Sequence, residues 1–322
     1  MSTLTLRDRY LAMVRMRRFE EACLAGVADR EIHGEVHLGI GQEAIAAGLL
    51  GYLTDEDALV STHRNHLHAL AKGVPMYPLM AEIFEKRTGL CGGFGGHMHI
   101  FDLPRRFSTT GIVGSTLPVA LGHAYAARLS GRASVAVGVT GDGGANAGGF
   151  HESLNIAGSL RLPLVVLIEN NEWAISVPFE ESTATATLAE RAVSYRAWGK
   201  RVDGLDVLAV ASAFGEAVDY ARSGLGPAVL EATCYRFRGH YEGDPDMYRP
   251  AGDRDARRRD RDPLLITRES VVVEGGADPV SLAQEEQAIA DEVDTVLAAV
   301  RRDLMPDGMQ ARDHVFTRGT AR

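Results

Sequence analysis

Two polar clusters in the 322-residue chain directly follow apolar runs, and they are the residues best placed to do chemistry. The first is Gly141-Asp142-Gly143-Gly144, after the run at 135–140. The second is Glu169-Asn170-Asn171, after the run at 164–168. A carboxylate oxygen from Asp142 and an amide oxygen from Asn171 are hard donors, suited to Mg2+, which favours octahedral oxygen sites and binds along with phosphate groups. Gly143 and Gly144 add backbone N–H groups that an anion can approach closely, near the start of a predicted helix. Together they point to a Mg2+–diphosphate site. A plain strand–helix–strand unit with a flexible glycine turn explains Gly-Asp-Gly equally well on its own. The reading therefore depends on the second cluster lying beside the first.

The elements that must position these residues follow from patterning. Both apolar runs are short and rich in β-branched residues, as buried strands are. From Gly149 the period becomes helical, with Phe150, Leu154, Ala157 and Leu160 on one face. A strand–helix–strand unit implies parallel strands whose ends share the sheet edge where ligands of open α/β sheets bind. Residues 227–235 predict another buried strand, so Arg236 and His240 in the loop after it join that edge. Helices are predicted over 6–27, 118–129, 187–198 and 206–224, with short strands at 58–61 and 199–202. A helix over 281–303 carries Leu282, Ile289, Val293, Val296 and Val300, spaced to dock on a core or a partner. The mixed-charge run at 254–262 reads as a solvated face or a mobile loop, and the last ten or so residues as a disordered tail. The fold class expected is α/β: a mostly parallel sheet with helices on both faces and helical extensions at each end.

Several histidines invite metal readings that their spacing does not support. His33 and His37 are four apart, but Gly34 and Gly39 disfavour a helix, and the HExxH order is absent. A turn feeding a helix from Gln42 is the better reading. The stretch at 62–68 has three histidines but no Cys or carboxylate at zinc-ligand spacing. It is either an exposed polar loop or a clamp in which Arg64 offers its planar fork to a diphosphate. The glycine-rich stretch at 91–99 lacks GxGxxG spacing and a preceding strand, which excludes a dinucleotide turn. Gly111-Ile112-Val113-Gly114 is either a tight turn or backbone exposed to a flat ligand.

These motifs together resemble one family. HLGIGQEA at 37–44, HRNH at 63–66, GGHMH at 95–99, GIVG at 111–114, GDGG and ENN at 141–171, and YRFRGHYEGD at 235–244 are similar to the α subunit of the first component of 2-oxo acid dehydrogenase complexes, of the pyruvate, branched-chain and acetoin types. The resemblance runs over most of the chain. It implies a thiamine-diphosphate-binding fold, with residues 1–322 forming a single diphosphate-binding domain and a helical tail from about residue 263. It implies Mg2+ ligated by Asp142, Asn171 and the backbone carbonyl of Trp173, where the family usually has Tyr. Diphosphate contacts fall to His63, Arg64, Arg236 and His240 beside Gly143 and Gly144, and the backbone at Gly111 and Val113 holds the aminopyrimidine. His66 is expected at the mouth of the active site, and His66 and His240 are the expected catalytic histidines. His63 departs from the family's usual Tyr. Tyr241 stands where mitochondrial pyruvate enzymes carry a regulatory phosphoserine, so control there is not expected.

The resemblance further implies decarboxylation of a 2-oxo acid, or cleavage of acetoin, with the acyl group passed to a lipoyl-bearing acyltransferase component. A β subunit would supply the Glu that activates the cofactor, in an α2β2 heterotetramer. Two alternatives stand beside this. One is a two-chain carboligase that forms acyloins; the other is a non-catalytic partner subunit, against which the intact Asp142, Asn171, Arg64 and His240 set argues. Residues 101–107 match no single substrate class.

Composition narrows the class. A formal charge of −9 argues against nucleic acid or an anionic membrane as partner. No apolar run reaches about 18 residues, and no secretory signal opens the chain. Cys23, Cys91 and Cys234 lie far apart without CxxC spacing, which fits reduced thiols in a cytoplasm.

Overall fold

A computed structural model describes residues 3–315. Its helices are α1 (Leu6–Ala28), α2 (Glu43–Gly48), α3 (His66–Ala71), α4 (Met76–Ile83), α5 (Thr116–Leu129), α6 (Gly148–Leu160), α7 (Phe179–Ser182), α8 (Val207–Arg222), α9 (Asp253–Arg261), α10 (Pro263–Val273) and α11 (Pro279–Arg301). Its strands are β1 (Ala58–Ser61), β2 (Phe101–Asp102), β3 (Phe107–Thr109), β4 (Ala136–Gly141), β5 (Leu164–Asn170), β6 (Trp173–Ala174), β7 (Val177–Pro178), β8 (Trp198–Asp203) and β9 (Ala228–Thr233). Among the described residues seven strands make one sheet, in the order β2-β3-β1-β4-β5-β9-β8. Its β2–β3 pair is antiparallel and the other neighbouring pairs are parallel. β6 and β7 form a small ribbon of their own.

Alternation along β5 explains its unbroken apolar run. Leu164, Val166 and Ile168 pack into a core with Leu117, Ala120, Phe150 and Leu154 from α5 and α6. Val165 and Leu167 face the other way, into the larger core with Phe19, Val210 and Phe214 from α1 and α8. A sheet covered on both faces has no polar side to show in its central strands. The fold is the mixed α/β arrangement expected, with a mostly parallel sheet between helical layers.

The extensions dock on this chain's own core. Leu282 and Ile289 of α11 pack with Tyr10 and Val14 of α1, and Val293 and Val300 reach the main core. Thr5 and Asp8 close a capping box at the start of α1, satisfying N–H groups that a helix end leaves free.

Two expectations need correction, the helix at 187–198 and the burial of Leu160. The helix predicted over 187–198 is a 3-10 turn at Ala189–Tyr195, because Arg196 turns left-handed (φ 54°) and Trp198 already belongs to β8. The charged run at 254–262 is the solvated face expected rather than a mobile loop: Asp253–Arg261 form helix α9, with no buried residue. Asp253 and Asp255 sit in its first turn and Arg258, Arg259 and Arg261 in its last, each complementing the helix dipole. Leu160, placed on the apolar face of α6, is exposed. The tail expected to be disordered, the last ten or so residues, lies almost wholly outside the described residues, which end at 315 just after a 3-10 turn at Gly308–His314. Strands β2, β3, β6 and β7 are two or three residues long, too short to show a period. No helix among the described residues is long and apolar enough to cross a membrane.

Candidate cofactor site

β4 and β5 are hydrogen-bonded neighbours with Gly141 opposite Glu169, so Asp142 and Asn171 leave the same edge side by side. The backbone N–H of Asn171 is turned to the Asp142 carboxylate, as are those of Asp142 itself and Gly143. Both side chains are buried, and each keeps one oxygen with no hydrogen-bond partner: Asp142 Oδ2 and Asn171 Oδ1. The Asn171 amide is oriented, because its Nδ2 donates to Gln42 Oε1 at 3.2 Å. Orphaned buried oxygens are rare in native structures and point to an ion. Two hard oxygens, one anionic, fit Mg2+.

Burial sets the charge of this edge. It pushes the Asp142 carboxyl up to about 6, against the pull of the surrounding N–H groups and the Arg236 guanidinium. A cation at Oδ2 would reverse that cost.

The turn that follows is strained in a specific way. Glu172 and Ile175 hold positive φ (70° and 56°), conformations that cost a non-glycine residue on the order of 1–3 kcal/mol. Asn170 Oδ1 accepts from the Glu172 N–H at 3.2 Å, and Asn170 Nδ2 donates to the buried Glu231 at 2.8 Å. Arg249 braces the outside, its guanidinium over the Trp173 ring at 5.7 Å and the Tyr235 ring at 5.0 Å. Trp173 is thus held in the cavity lining.

The glycines matter for space rather than for φ. Gly143 has an ordinary φ of −62°, but a Cβ there would stand 2.7 Å from Ala174 Cβ, and one on Gly144 2.4 Å from Thr140 Oγ1.

These residues line one cavity of about 230 Å³ with Thr62, His63, Arg64, Ile112, Val113, Gly114, Glu169, Arg236 and His240. Arg236 is buried and donates to the Ile175 carbonyl at 3.1 Å and the Tyr248 hydroxyl at 2.9 Å. Arg64 is buried too; burial first, then Arg236, pulls its guanidinium down to about 9. Two of its donors go to the Leu38 and His240 carbonyls, so it fixes the 236–249 loop as well as facing the cavity. The exposed-loop reading of 62–68 is excluded, since Arg64, Asn65, His66 and His68 are all buried.

Four histidines cluster at another wall, and His63 and His240 of them line the cavity. His37 packs on His63 (4.4 Å between centroids), His240 (4.9 Å) and His97 (5.3 Å). Burial, aided by the arginines, lowers His63 to about 3 and His240 to about 4. Burial does the same to His97, down to about 3, with His66 next, and holds His37 far below the usual imidazole range. These rings are neutral at pH 7. Ring nitrogens of His37, His63 and His240 lie within 4.8 Å of one another, a spacing a metal could bridge. The two guanidinium charges at the same wall favour an anion instead.

Two predicted site residues are not in the cavity lining. His66 was expected at the mouth; its side chain is fully buried, with Nδ1 3.0 Å from Glu20 Oε2. Its place at the first turn of α3 directs it at α1, into the packed interior. Gly111 sits behind the wall near Met98 and His99, and its neighbours Ile112, Val113 and Gly114 line the cavity instead. Sequence reasoning missed Gln42, His37, His97 and Arg249. His37 lies in the HLGIGQEA motif and signals itself there only as a turn residue; nothing in the chain pairs Gln42 with Asn171.

A family model described as dehydrogenase E1 component matches residues 11–308. The chain belongs to that family. Among its relatives is the α subunit of acetoin:2,6-dichlorophenolindophenol oxidoreductase from Bacillus subtilis, 39% identical over 90% of this chain and 86% of that protein. The protein of the same name from Cupriavidus necator is 40% identical, over 92% and 87%. The pyruvate dehydrogenase E1 component subunit alpha of Rhizobium meliloti is 36% identical, over 92% and 86%. As an E1 α chain, the protein is one half of a heteromeric, thiamine-diphosphate-dependent enzyme. The relatives favour the dehydrogenase reading over a carboligase or a non-catalytic subunit.

Proposed function

We propose that this E1 α chain grips Mg2+ and the diphosphate of its cofactor at the β4–β5 edge, for a reaction that cleaves a small 2-oxo acid or acyloin. Asp142, Asn171 and the backbone carbonyl of Trp173 would hold the ion. The observation that carries this is the pair of orphaned oxygens, Asp142 Oδ2 and Asn171 Oδ1, buried at adjoining strand ends. Arg236, Arg64 and the backbone of Gly143 and Gly144 supply the positive wall a diphosphate needs. Val113, with Gly111 behind it, presents backbone to the aminopyrimidine. Thiamine diphosphate, when bound, supplies a carbanion that attacks a carbonyl and then serves as an electron sink.

The residues of this chain orient and move protons around that chemistry. Arg236 Nη1 lies 3.4 Å from His240 Nδ1, which leaves His240 Nε2 for the cavity. His240 and His63, neutral at pH 7, can each take or give a proton there. A β subunit supplies the activating Glu in an α2β2 assembly, and a lipoyl-bearing acyltransferase takes the acyl group. Free Cys23, Cys91 and Cys234 support a reducing compartment, the cytoplasm.

Co-expression with the β partner tests the reading. Dye reduction is measured with acetoin first, because two relatives carry that name, then with pyruvate and branched 2-oxo acids. Turnover that requires both thiamine diphosphate and Mg2+, is lost to EDTA and returns with Mg2+ is expected. Turnover indifferent to Mg2+ would sink the metal assignment.

A further inference from the structure

No residue of the glycine-rich stretch at 91–99 lines the cavity, yet the stretch is built like an anion cradle. Its backbone turns several N–H groups to one point, as a nest does for a phosphate. The anion at that point belongs to the chain itself. Glu82, the penultimate residue of α4, is fully buried. Its Oε2 accepts from the N–H groups of Cys91 at 2.7 Å and Gly93 at 3.0 Å. Its Oε1 accepts from those of Gly95 at 2.7 Å and Gly96 at 3.2 Å. A carboxylate has about four acceptor sites, so this one is full and the cradle is closed to any other ligand. Gly93 and Gly96 reach it with φ of 82° and 59°, a conformation that a Cβ makes costly.

What the loop supports lies one layer nearer the cavity. Gly95 packs so closely on the backbone of His99 that a Cβ there would stand 2.1 Å from the His99 carbonyl oxygen. The Cys91 thiol donates to the same carbonyl at 3.5 Å. Thr109 Oγ1 donates to the Met98 carbonyl at 2.5 Å and accepts from the Ile100 N–H at 2.8 Å, which ties this segment to β3. Met98 Sδ and the His99 ring then stand behind Gly111, where a Cβ would meet them at 3.4 and 3.5 Å. Ile112 and Val113, next along the chain, line the cavity. The arginines of the cavity are anchored elsewhere. Arg64 donates to the Leu38 and His240 carbonyls, and Arg236 to the Ile175 carbonyl and the Tyr248 hydroxyl. One bond crosses from the loop to that side, Asn65 Nδ2 to the His97 carbonyl at 2.9 Å, and it leaves Arg64 on its own two acceptors.

We propose that Glu82 is a positioning residue for the aminopyrimidine half of the cofactor. It folds the glycine loop, the loop fixes Met98 and His99, and these hold the backbone at 111–113 in place. Glu82 itself does not touch the cavity. The inference rests on the reading of that backbone as the aminopyrimidine wall. Gln at position 82 keeps the shape but turns an NH2 toward two of the four N–H groups, which leaves half of the cradle unsatisfied.

The test is calorimetry on the purified α/β complex at fixed Mg2+, with thiamine diphosphate and inorganic pyrophosphate as separate probes. Pyrophosphate engages the diphosphate wall alone, whereas thiamine diphosphate needs both halves of the site. Glu82→Gln should weaken thiamine diphosphate by about tenfold or more, the scale of one or two lost hydrogen bonds, and leave pyrophosphate within about twofold. Gly95→Ala presses on the His99 carbonyl from the loop side and should give the same split. A general loosening of the fold would weaken both probes together. Equal losses for the two probes, or an unchanged thiamine diphosphate affinity in Glu82→Gln, overturn the proposal. If Glu82→Gln does not assemble with the β subunit, Gly95→Ala decides. Failure of both to assemble also overturns it, because the loop would then serve the fold alone. A wild type that binds thiamine diphosphate no tighter than pyrophosphate refutes the aminopyrimidine wall instead, a different failure from variants that match a normal wild type.

Discussion

The two walls of the cavity are opposite solutions to the same burial. On the β4–β5 edge, desolvation acts on a carboxylate and raises Asp142 to about 6. On the histidine wall it acts on imidazoles and lowers His63 to about 3 and His240 to about 4. The first wall carries a negative charge it holds at a cost and two orphaned oxygens. The second has shed its histidine charges but keeps the buried guanidiniums of Arg64 and Arg236. One wall lacks a cation and the other an anion. A Mg2+–diphosphate group supplies both at once, and neither ion alone would satisfy the cavity.

Breaking the first wall should have the largest effect. Asp142→Ala removes the anionic ligand, and thiamine diphosphate binding to the complex, followed by calorimetry at fixed Mg2+, is expected to weaken by about 100-fold or more, the scale of losing a charged ligand contact. Breaking the second wall comes next. Arg236→Met deletes a buried guanidinium that faces the cavity, and affinity should fall by about 10- to 100-fold, the worth of a charge-assisted bond. Its Mg2+ dependence should survive, which separates the two walls.

The pH response sharpens the comparison. The folded chain raises Asp142 from 3.8 to about 6, so it takes up a proton in that window that the unfolded chain does not. Stability of the cofactor-free protein therefore falls as pH rises from about 4 to about 6, and the full penalty remains above that. Asp142→Asn should relieve it, raising stability at pH 7.5 by roughly 1–3 kcal/mol in thermal denaturation while abolishing Mg2+-dependent binding. In the wild type, Mg2+ retention should fail as pH drops below about 6, because the proton competes for the same oxygen. A variant that is no more stable than wild type would mean the carboxylate is not held at a cost. The smallest effect belongs to the outer brace. Arg257 pairs with Glu172 at 3.2 Å, both partners about two-fifths exposed, so Arg257→Ala should cost under about 1 kcal/mol and leave cofactor affinity within about threefold.

Much of the first wall was legible in the residues alone, because strand, turn and strand lie in one stretch of chain. Gly-Asp-Gly after one apolar run and Asn-Asn after the next needed only the rule that parallel neighbours share an edge. The second wall was less legible, since His37, His63, His97 and His240 come from four separate segments and meet only in three dimensions. Motif matching named His63 and His240 but placed His66 at the mouth. No local pattern reports that a buried Glu20, on a helix far upstream, draws that ring inward. Short strands such as β6 and β7 and helix α9, charged at every position but Ala256, escaped for a related reason, being held by a tight turn or by charge order rather than by apolar period.

One ion between two oxygens is the central claim, and anomalous diffraction can look for it directly. Crystals of the α/β complex grown with thiamine diphosphate and Mn2+ in place of Mg2+ would report the metal position. The expected result is a single strong peak within bonding distance of Asp142 Oδ2 and Asn171 Oδ1. A peak among His37, His63 and His240 instead, or none near Asp142, would contradict it.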